Sequence, residues 1–355
     1  MREYRRMTYS DRLKLEALYN SGMPVVKIAE KLGFFYTGIY REIQNGKYQR
    51  KNSDWTYSTR YSADRAQQMA DFKTAARSKP LKIGNDYAFV RYAEDMILNR
   101  RYSPEAVLAE IEKKGLHFDT KISVRTFYRY IDQGVFPNLT RKSLPYKGKR
   151  KKQQKKTIEK TESKIGTSIE KRPPEIETRE TFGNWEMDSV IGKREKGQTM
   201  LVFTERKTNM EFVFRSNDKG IHGTVNILDR VERKLGKKIF QNVFKTITCD
   251  NGTEFNCPDL IERSSVGRGL RTTVYYCHPY CSSERGSNEK QNQMLRRWVA
   301  KGTKIETYTD TYLSDVESWL NNYPRRKYDY KSSIELFTEE LSKLGIKNFF
   351  EKFYI

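Results

Sequence analysis

Apolar residues in the first 46 positions recur at the spacing of short α-helices. They fall into three groups, and Gly22 and Gly33 stand after the first two. The groups are Leu13, Leu15, Ala17 and Leu18; Val25, Ile28, Ala29 and Leu32; and Ile39, Tyr40 and Ile43. Two short helices joined by a glycine-containing turn predict a helix-turn-helix unit, which we assign to residues 1–60. Such three-helix units serve as DNA-binding modules or as protein-interaction modules.

A second helical pattern follows in residues 61–146. A helix over about residues 87–99 precedes YSPEAVLAEIEKKG, in which Ser103 and Pro104 suit the cap and the first turn of a helix. A third helix begins after Ser123 in ISVRTFYRYIDQG. This pattern predicts a second helix-turn-helix unit. The basic and aromatic stretch 48–65 is either a segment that follows a nucleic-acid backbone or a loop without a role.

From residue 184 onward the pattern changes to the alternation typical of β-strands. In NWEMDSVIG, Trp185, Met187 and Ser189 alternate with Glu186 and Asp188. The elements that follow are, in order, strands TMLVFTER and MEFVFRS, helix HGTVNILDRVERKL, strand TITCD, helix PDLIERS, strand TTVYYCH and helix SNEKQNQMLRRWVAKG. This is the element order of an RNase H-like α/β domain with a mixed five-stranded sheet. We predict that domain over residues 181–345 and a C-terminal tail over residues 346–355.

A segment without apolar periodicity separates the helical part from the α/β part. Residues 147–180 are rich in lysine and close on Pro173-Pro174, which predicts a basic linker. We expect its lysines to contact phosphates, although such a run also resembles a nuclear signal. The lysines singled out are Lys151, Lys152, Lys155 and Lys156.

Charge distinguishes the two halves of the chain. The 355 residues include 68 Lys and Arg and 45 Asp and Glu, a net charge of +23. Residues 1–180 hold 39 basic and 22 acidic residues (+17), and residues 181–355 hold 29 and 23 (+6). We therefore expect a polyanion as partner, bound mainly by the first half. The sequence has no run of 18 apolar residues and no apolar signal-peptide core, so we expect neither a membrane span nor secretion.

The four cysteines lie within one stretch of 33 residues. They are Cys249, Cys257, Cys277 and Cys281. The C-x₃-C spacing of the last two is a weak signature for zinc in a chain with three histidines. We expect reduced thiols in a cytosolic protein, with a zinc site as the alternative.

Three acidic residues fall at one edge of the predicted sheet. Asp188 lies midway along the first strand, Asp250 ends the fourth, and Glu289 lies in the first turn of the last helix. Catalytic groups of α/β sheets gather at strand ends and helix starts. Carboxylates that converge there repel one another unless cations lie between them, and hard oxygen ligands suit Mg²⁺ or Mn²⁺. The alternative is three unrelated acids that act as a cap, a turn former and a surface group.

Several motifs together resemble the DDE transposases of the insertion sequence 30 family, bacterial relatives of retroviral integrases. The family's W-E-x-D motif is matched by Trp185, Glu186 and Asp188, and its D-N/R-G-x-E motif by residues 250–254. Its R-G-x-N-E motif is matched by residues 285–289, and a basic residue seven positions after the glutamate is matched by Arg296. The resemblance covers nearly the whole chain and includes YSDRLKLEALYNSG, SVRTFYRYIDQGVF and LNNYPRRKYDYKSSIELF.

This resemblance implies metal-dependent cleavage at the ends of an insertion sequence and transfer of the cut strands into target DNA. Asp188, Asp250 and Glu289 would be the catalytic and metal-binding residues. Two Mg²⁺ or Mn²⁺ ions, roughly 3.5–4 Å apart, would bridge the scissile phosphate. Asp188 would contact both ions, with Asp250 on one and Glu289 on the other. The implied partners are terminal inverted repeats, target DNA and further copies of the chain in a dimer or larger assembly, located in a bacterial cytoplasm at the nucleoid.

Further residues are candidates for DNA contacts, and the sequence also allows two other functions. The candidates outside the linker are Tyr36, Thr37, Arg41, Arg125, Arg129, Arg296 and Arg297. One alternative function is a silent DNA-binding regulator that holds the ends without cutting them. The other is an RNase H-like nuclease for hybrid or branched substrates, which would not need two helix-turn-helix units.

Overall fold

The computed structural model describes residues 5–77, 81–145, 163, 165–192, 197–279 and 281–354. The chain forms two compact units, Met1–Gly84 (unit 1) and Asn85–Ile355 (unit 2). This moves the predicted boundary at residue 60 to Gly84. The reason is that Tyr61, Ala63 and Ala66 are buried in the core of unit 1.

Unit 1 contains the three predicted helices, a β-hairpin and a fourth helix. Its elements are α1 Tyr9–Asn20, α2 Val25–Leu32, α3 Tyr36–Gly46, β1 Lys47–Lys51, β2 Tyr57–Tyr61 and α4 Ala63–Arg77. Thr8 caps α1, and Gly33 ends α2 with a positive φ of 72° that favours glycine. Leu15, Ile28 and Ile39 pack together in the core. The stretch 48–65 forms most of the hairpin and the start of α4.

The second predicted three-helix group lies in unit 2, together with the sheet. Its helices are α5 Tyr87–Leu98, α6 Pro104–Lys113 and α7 Val124–Asp132. Ser103 and Ser123 cap α6 and α7, as the sequence predicts. The side chain of Tyr323 contacts Ser103, donating to its Oγ and accepting from its backbone N–H. Residues 85–145 are therefore one compact unit with the α/β part, and the predicted separate domain 61–146 is divided between units 1 and 2.

A six-stranded mixed sheet forms the centre of unit 2. Its strands are β3 Thr167–Ser168, β4 Asn184–Ile191, β5 Thr199–Glu205, β6 Glu211–Ser216, β7 Thr246–Cys249 and β8 Thr273–Tyr276. Their spatial order is β3-β8-β7-β4-β5-β6. The β4-β5-β6 pairs are antiparallel, whereas β4-β7, β7-β8 and β3-β8 are parallel. The five strands β4–β8 fit the predicted RNase H-like domain, and β3 adds a short edge strand.

Two predictions about the flanks of the sheet need correction. Residues 165–180, assigned to the linker, include β3 and the buried side chain of Ile176. Arg172 is also buried and donates to Thr248 Oγ1 at 2.8 Å, so this part of the chain is anchored to the sheet. The predicted tail contains α14, Phe349–Tyr354, which buries Phe349 and Phe353 in the main core. Both segments contain apolar side chains, Ile176 in the first and Phe349 and Phe353 in the second. Burying these side chains in the core stabilises the folded chain, so the two segments pack against it.

Alternating residues of β4 pack into two cores, one on each face of the sheet. Trp185 and Met187 join the larger core with helix α8 (Ile221–Leu235), whereas Val190 joins a second core with α11 (Gly286–Leu295) and α12 (Asp310–Asn322). The remaining helices are α8 Ile221–Leu235, α9 Lys237–Val243, α10 Pro258–Glu262, α11 Gly286–Leu295, α12 Asp310–Asn322 and α13 Ser333–Lys343. Among the described residues, none of the helices has the length and apolar character that crossing a membrane requires.

Candidate active site

Two of the three predicted acids lie close to each other, Asp188 on β4 and Asp250 directly after β7. β4 and β7 are parallel, and Glu186 on β4 is paired with Thr248 on β7. Asp188 and Asp250 each lie two residues beyond that pair. The two carboxylates therefore extend from the same edge of the sheet, as the element order predicts.

The guanidinium of Arg285 joins these two carboxylates. Its NH1 lies 2.9 Å from Asp188 Oδ1, and its NH2 lies 2.6 Å from Asp250 Oδ2. NH1 also donates to the Met187 carbonyl at 3.1 Å. Burial alone would lower the pKa of Arg285, but the Asp188 and Asp250 carboxylates outweigh that effect and raise it. A cation therefore already compensates the repulsion between the acids.

Neutral donors orient both carboxylates. Asp188 Oδ2 accepts from Asn292 Nδ2 at 2.7 Å, and Asp188 Oδ1 accepts from the backbone N–H of Ser189 at 3.0 Å. Asp250 Oδ1 accepts from the Gly252 N–H at 3.0 Å. These bonds reduce the rotamer freedom of the two acids.

Glu186 positions the helix that carries the third acid. Its carboxylate is fully buried and accepts from the Asn288 N–H at 2.8 Å, at the start of α11. It also accepts from Arg206 NH1 at 2.5 Å. Thr204 Oγ1 donates to Asn288 Oδ1 at 2.5 Å and ties the same turn to β5. Glu289 follows directly in this anchored turn.

Two cavities lie at the site. Asp188 and Glu289 line a cavity of about 500 Å³, Asp250 lines another of about 400 Å³, and Arg285 lines both. The side chain of Glu289 is exposed. Within the described ranges, no three His, Cys, Asp or Glu side chains are grouped closely enough to hold a metal ion. Asp188 and Asp250 thus share one guanidinium, and the exposed Glu289 lines the same cavity as Asp188.

Sequence reasoning did not assign roles to Arg285, Asn292 or Glu254. Glu254 is partly buried near the pair, and burial together with the Asp250 and Asp188 carboxylates raises its pKa. Glu254 occupies the final position of the D-N-G-x-E motif, and Arg285 occupies the first position of R-G-x-N-E. The two motifs could therefore have pointed to both residues. Asn292 gives no such motif signal; its helical spacing from Glu289 is the only indication.

Helix α11 is shorter than the predicted helix, which included Arg296 and Arg297. Helix α11 ends at Leu295, and the N–H groups of Arg297 and Trp298 bond three residues back, to Met294 and Leu295. Met294, Leu295, Trp298 and Val299 all pack in the second core, because residues four positions apart lie on the same side of a helix.

Both arginines line the cavity that contains Asp188, but each also has a structural contact. Arg296 donates to the Ile191 carbonyl at 2.9 Å, and burial lowers its pKa. Arg297 donates to the Arg101 carbonyl at 3.1 Å, and its guanidinium lies over the rings of Trp319 and Tyr323.

The other DNA-contact candidates lie on the third helix of each three-helix group or outside the described residues. Tyr36, Thr37 and Arg41 are exposed on α3, and Arg125 and Arg129 are exposed on α7. The linker candidates Lys151, Lys152, Lys155 and Lys156 lie outside the described residues.

All four cysteines are free thiols. Cys249 and Cys277 are buried, and burial raises the pKa of the Cys277 thiol to about 12. Cys277 and Cys281 line the cavity beside Asp250. Neither they nor other described residues form a zinc-holding group.

Comparison with known proteins identifies the chain as a homologue of insertion-sequence transposases. It is 28% identical over 344 residues to the transposase for insertion sequence element IS4351 of Bacteroides fragilis, covering 96% of this chain and 98% of that protein. It is 25% identical to transposase InsI for insertion sequence element IS30C of Escherichia coli (strain K12), covering 93% and 82%. The homologues thus include a transposase of an IS30 element, which confirms the resemblance to the insertion sequence 30 family.

No family model matches the chain. The catalytic core domain of BIV integrase aligns with 46% of this chain and 98% of its own, at 18% identity and a TM-score of 0.34.

Proposed function

We propose that this protein is the transposase of an insertion sequence, which cuts DNA at the ends of its element and joins those ends to target DNA. The observation that carries the proposal is that Asp188 on β4 and Asp250 just after the parallel strand β7 share the Arg285 guanidinium, with Glu289 lining the same cavity as Asp188. The homologues that span almost the whole chain are transposases, which favours this function over a silent regulator.

The residue types at this edge suit divalent cations. Carboxylate oxygens are the ligands that Mg²⁺ and Mn²⁺ prefer, and the shared guanidinium marks a position from which one cation can contact both Asp188 and Asp250. Two such ions, when bound, would lower the pKa of an attacking water and stabilise the leaving 3′-oxygen. Glu289 would complete the ligand set from α11. Asn292 and the Gly252 N–H would hold the two aspartates in place.

Recognition of DNA would be divided between the two units. We assign α3 of unit 1 and α7 of unit 2 to DNA contacts, because each carries exposed basic residues on the third helix of a three-helix group. Arg296, beside Asp188, would bind a phosphate near the cut. The DNA partners would be the terminal inverted repeats and the target, in a dimer or larger assembly at the bacterial nucleoid.

The test is a cleavage and joining reaction with labelled element ends, a target plasmid and Mg²⁺. Asp188→Asn, Asp250→Asn and Glu289→Gln should each reduce cutting and joining by at least about a thousandfold, because electrostatic stabilisation of the transition state is lost. Binding of the ends should persist in all three.

The matched control is Asp259→Asn, which removes an exposed acid on α10. It should cut like the wild type. A wild-type protein that binds the ends and never cuts them would instead support the silent regulator.

A further inference from the structure

Unit 1 also contains a β-hairpin, residues 47–61, to which the proposed DNA contacts of α3 assign no role. β1 and β2 are antiparallel, with Lys47 paired to Tyr61 and Lys51 paired to Tyr57. The hairpin begins in the residue after Gly46, where α3 ends. Helices α1–α3 followed by a two-stranded ribbon have the arrangement of a three-helix DNA-binding unit with an additional wing.

The base of the hairpin is fixed to the helices. Asn20 at the end of α1 bonds both the N–H and the carbonyl of Tyr61 through its side chain, at 3.0 and 2.8 Å. A Cβ at Gly46 would lie 2.6 Å from the Tyr61 ring and 2.5 Å from the Ser62 carbonyl oxygen. Only glycine permits this close approach, so the ribbon is held in a defined position next to α3.

The tip of the hairpin presents a strained and exposed aromatic residue. Trp55 is 77% exposed and has a φ of 66°, a left-handed conformation that a bulky residue rarely adopts. The Asp54 carboxylate accepts from the backbone N–H and the hydroxyl of Thr56, which maintains the turn. Exposed apolar surface and backbone strain both destabilise the folded state, and they are typical of functional positions.

The charge of the hairpin suits DNA. It contains Lys47, Arg50, Lys51 and Arg60 against the single acid Asp54, which is engaged in the turn. Arg50 and Lys51 are exposed, and Lys51 Nζ lies 3.5 Å from the centroid of the Trp55 ring. An aromatic tip flanked by cations complements a sugar edge flanked by phosphates.

We propose that this hairpin is a second DNA-contacting element of unit 1. Arg50 and Lys51 bind phosphates of duplex DNA, and Trp55 packs against the sugar edge of the adjacent groove. The inference rests on the proposed DNA binding by unit 1 and deepens it, because it assigns contacts to a ribbon as well as to α3.

The experiment measures the affinity of the full-length protein for a duplex of its element's end and for an unrelated duplex, by fluorescence anisotropy at several salt concentrations. The double variant Arg50→Gln/Lys51→Gln should reduce the slope of log K against log[salt] by about 2, because each lost phosphate contact removes about 0.9. Trp55→Ala should weaken binding about fivefold and leave the slope unchanged, since no charge is removed.

Matched controls come from the same unit. Phe72→Ala removes a side chain that is 70% exposed on α4, and Lys14→Gln removes an exposed lysine on α1. Both should bind like the wild type. Thermal unfolding curves of all variants should coincide with the wild-type curve, because none of the altered side chains is buried.

Acrylamide quenching provides a second measurement that depends on Trp55 itself. The difference in fluorescence between wild type and Trp55→Phe isolates this one of the four tryptophans. We expect it to be strongly quenched in the free protein and protected when duplex is added. If it stays equally quenchable and the hairpin variants bind duplex normally, the proposal is overturned.

Two other results would also overturn the hairpin proposal, and only the second would also contradict DNA binding by unit 1. If the variants change the oligomeric state in light scattering while DNA affinity is unchanged, the hairpin binds a second copy of the chain instead. If the wild-type protein binds neither duplex, DNA binding by unit 1 fails as well.

Discussion

Arg285 allows Asp188 and Asp250 to lie beside each other. The guanidinium contacts one oxygen of each carboxylate, and its side chain is 10% exposed, against 22% for Asp188 and 40% for Asp250. Carboxylates so close together would otherwise repel each other. A divalent cation at the same position would make the guanidinium unnecessary, so we expect Arg285 and metal to compete.

This competition predicts the behaviour of Arg285→Gln. Without metal, its free energy of unfolding should fall by about 2 kcal/mol, because two carboxylates lose their cation and solvent screens only part of their repulsion. Adding Mg²⁺ should then stabilise the variant more than it stabilises the wild type. Urea unfolding in EDTA and in Mg²⁺ measures both effects.

Arg125→Gln, an exposed change on α7, is the control and should leave both free energies unchanged. Equal stabilisation of wild type and Arg285→Gln by Mg²⁺ would contradict the competition.

At the scale of elements, the site depends on how β4 holds the first turn of α11. Glu186 and Asp188 are alternate residues of one strand. Glu186 binds the start of α11 and Arg206, while Asp188 faces the cavity. The W-E-x-D motif therefore combines a positioning residue with a catalytic candidate.

Two acids that share Arg206 allow this coupling to be tested. Glu186→Gln should lower the free energy of unfolding by about 3 kcal/mol, because it leaves the buried guanidinium without its nearest charge. It should also reduce DNA cutting more than DNA binding, since α11 carries Glu289. Urea unfolding and the cleavage reaction measure these effects.

Glu177→Gln is the matched control. The Glu177 side chain is 61% exposed, lies 3.4 Å from Arg206 and also contacts the buried Arg172. Because solvent screens both ion pairs, its removal should cost clearly less than the removal of Glu186. Equal losses for the two variants would show that burial of Glu186 does not matter.

At the scale of the molecule, the chain divides at Gly84 into two units with separate cores. The larger unit holds the candidate active site and α5–α7, and the smaller one holds α1–α4 and the hairpin. Unit 1 has what an independent domain needs, namely a continuous core and its own anchoring bonds.

We therefore expect a fragment of residues 1–84 to unfold in one cooperative transition. A fragment of residues 1–60 should not fold stably, because it lacks Tyr61, Ala63 and Ala66, and the loss of one large buried aromatic alone costs about 3 kcal/mol or more. Circular dichroism during thermal unfolding distinguishes the two. A cooperative transition in the shorter fragment would place the boundary back at residue 60.

Local patterns were sufficient to predict most elements of this protein. Helix caps such as Ser103 and Ser123, the alternation in NWEMDSVIG and the order of strands and helices depend on neighbouring residues, so they can be recognised in the chain alone. The same order placed Asp188 and Asp250 at one sheet edge, because parallel strands bring corresponding positions together.

Contacts between distant residues required the folded structure. Arg285 lies 97 residues beyond Asp188 in the sequence, and no periodic pattern indicates that its guanidinium contacts both Asp188 and Asp250. The end of α11 at Leu295, the burial of Arg172 and the packing of Phe349 also depend on partners far along the chain. Such contacts are selected by the free energy of the whole core, which no short stretch of sequence contains.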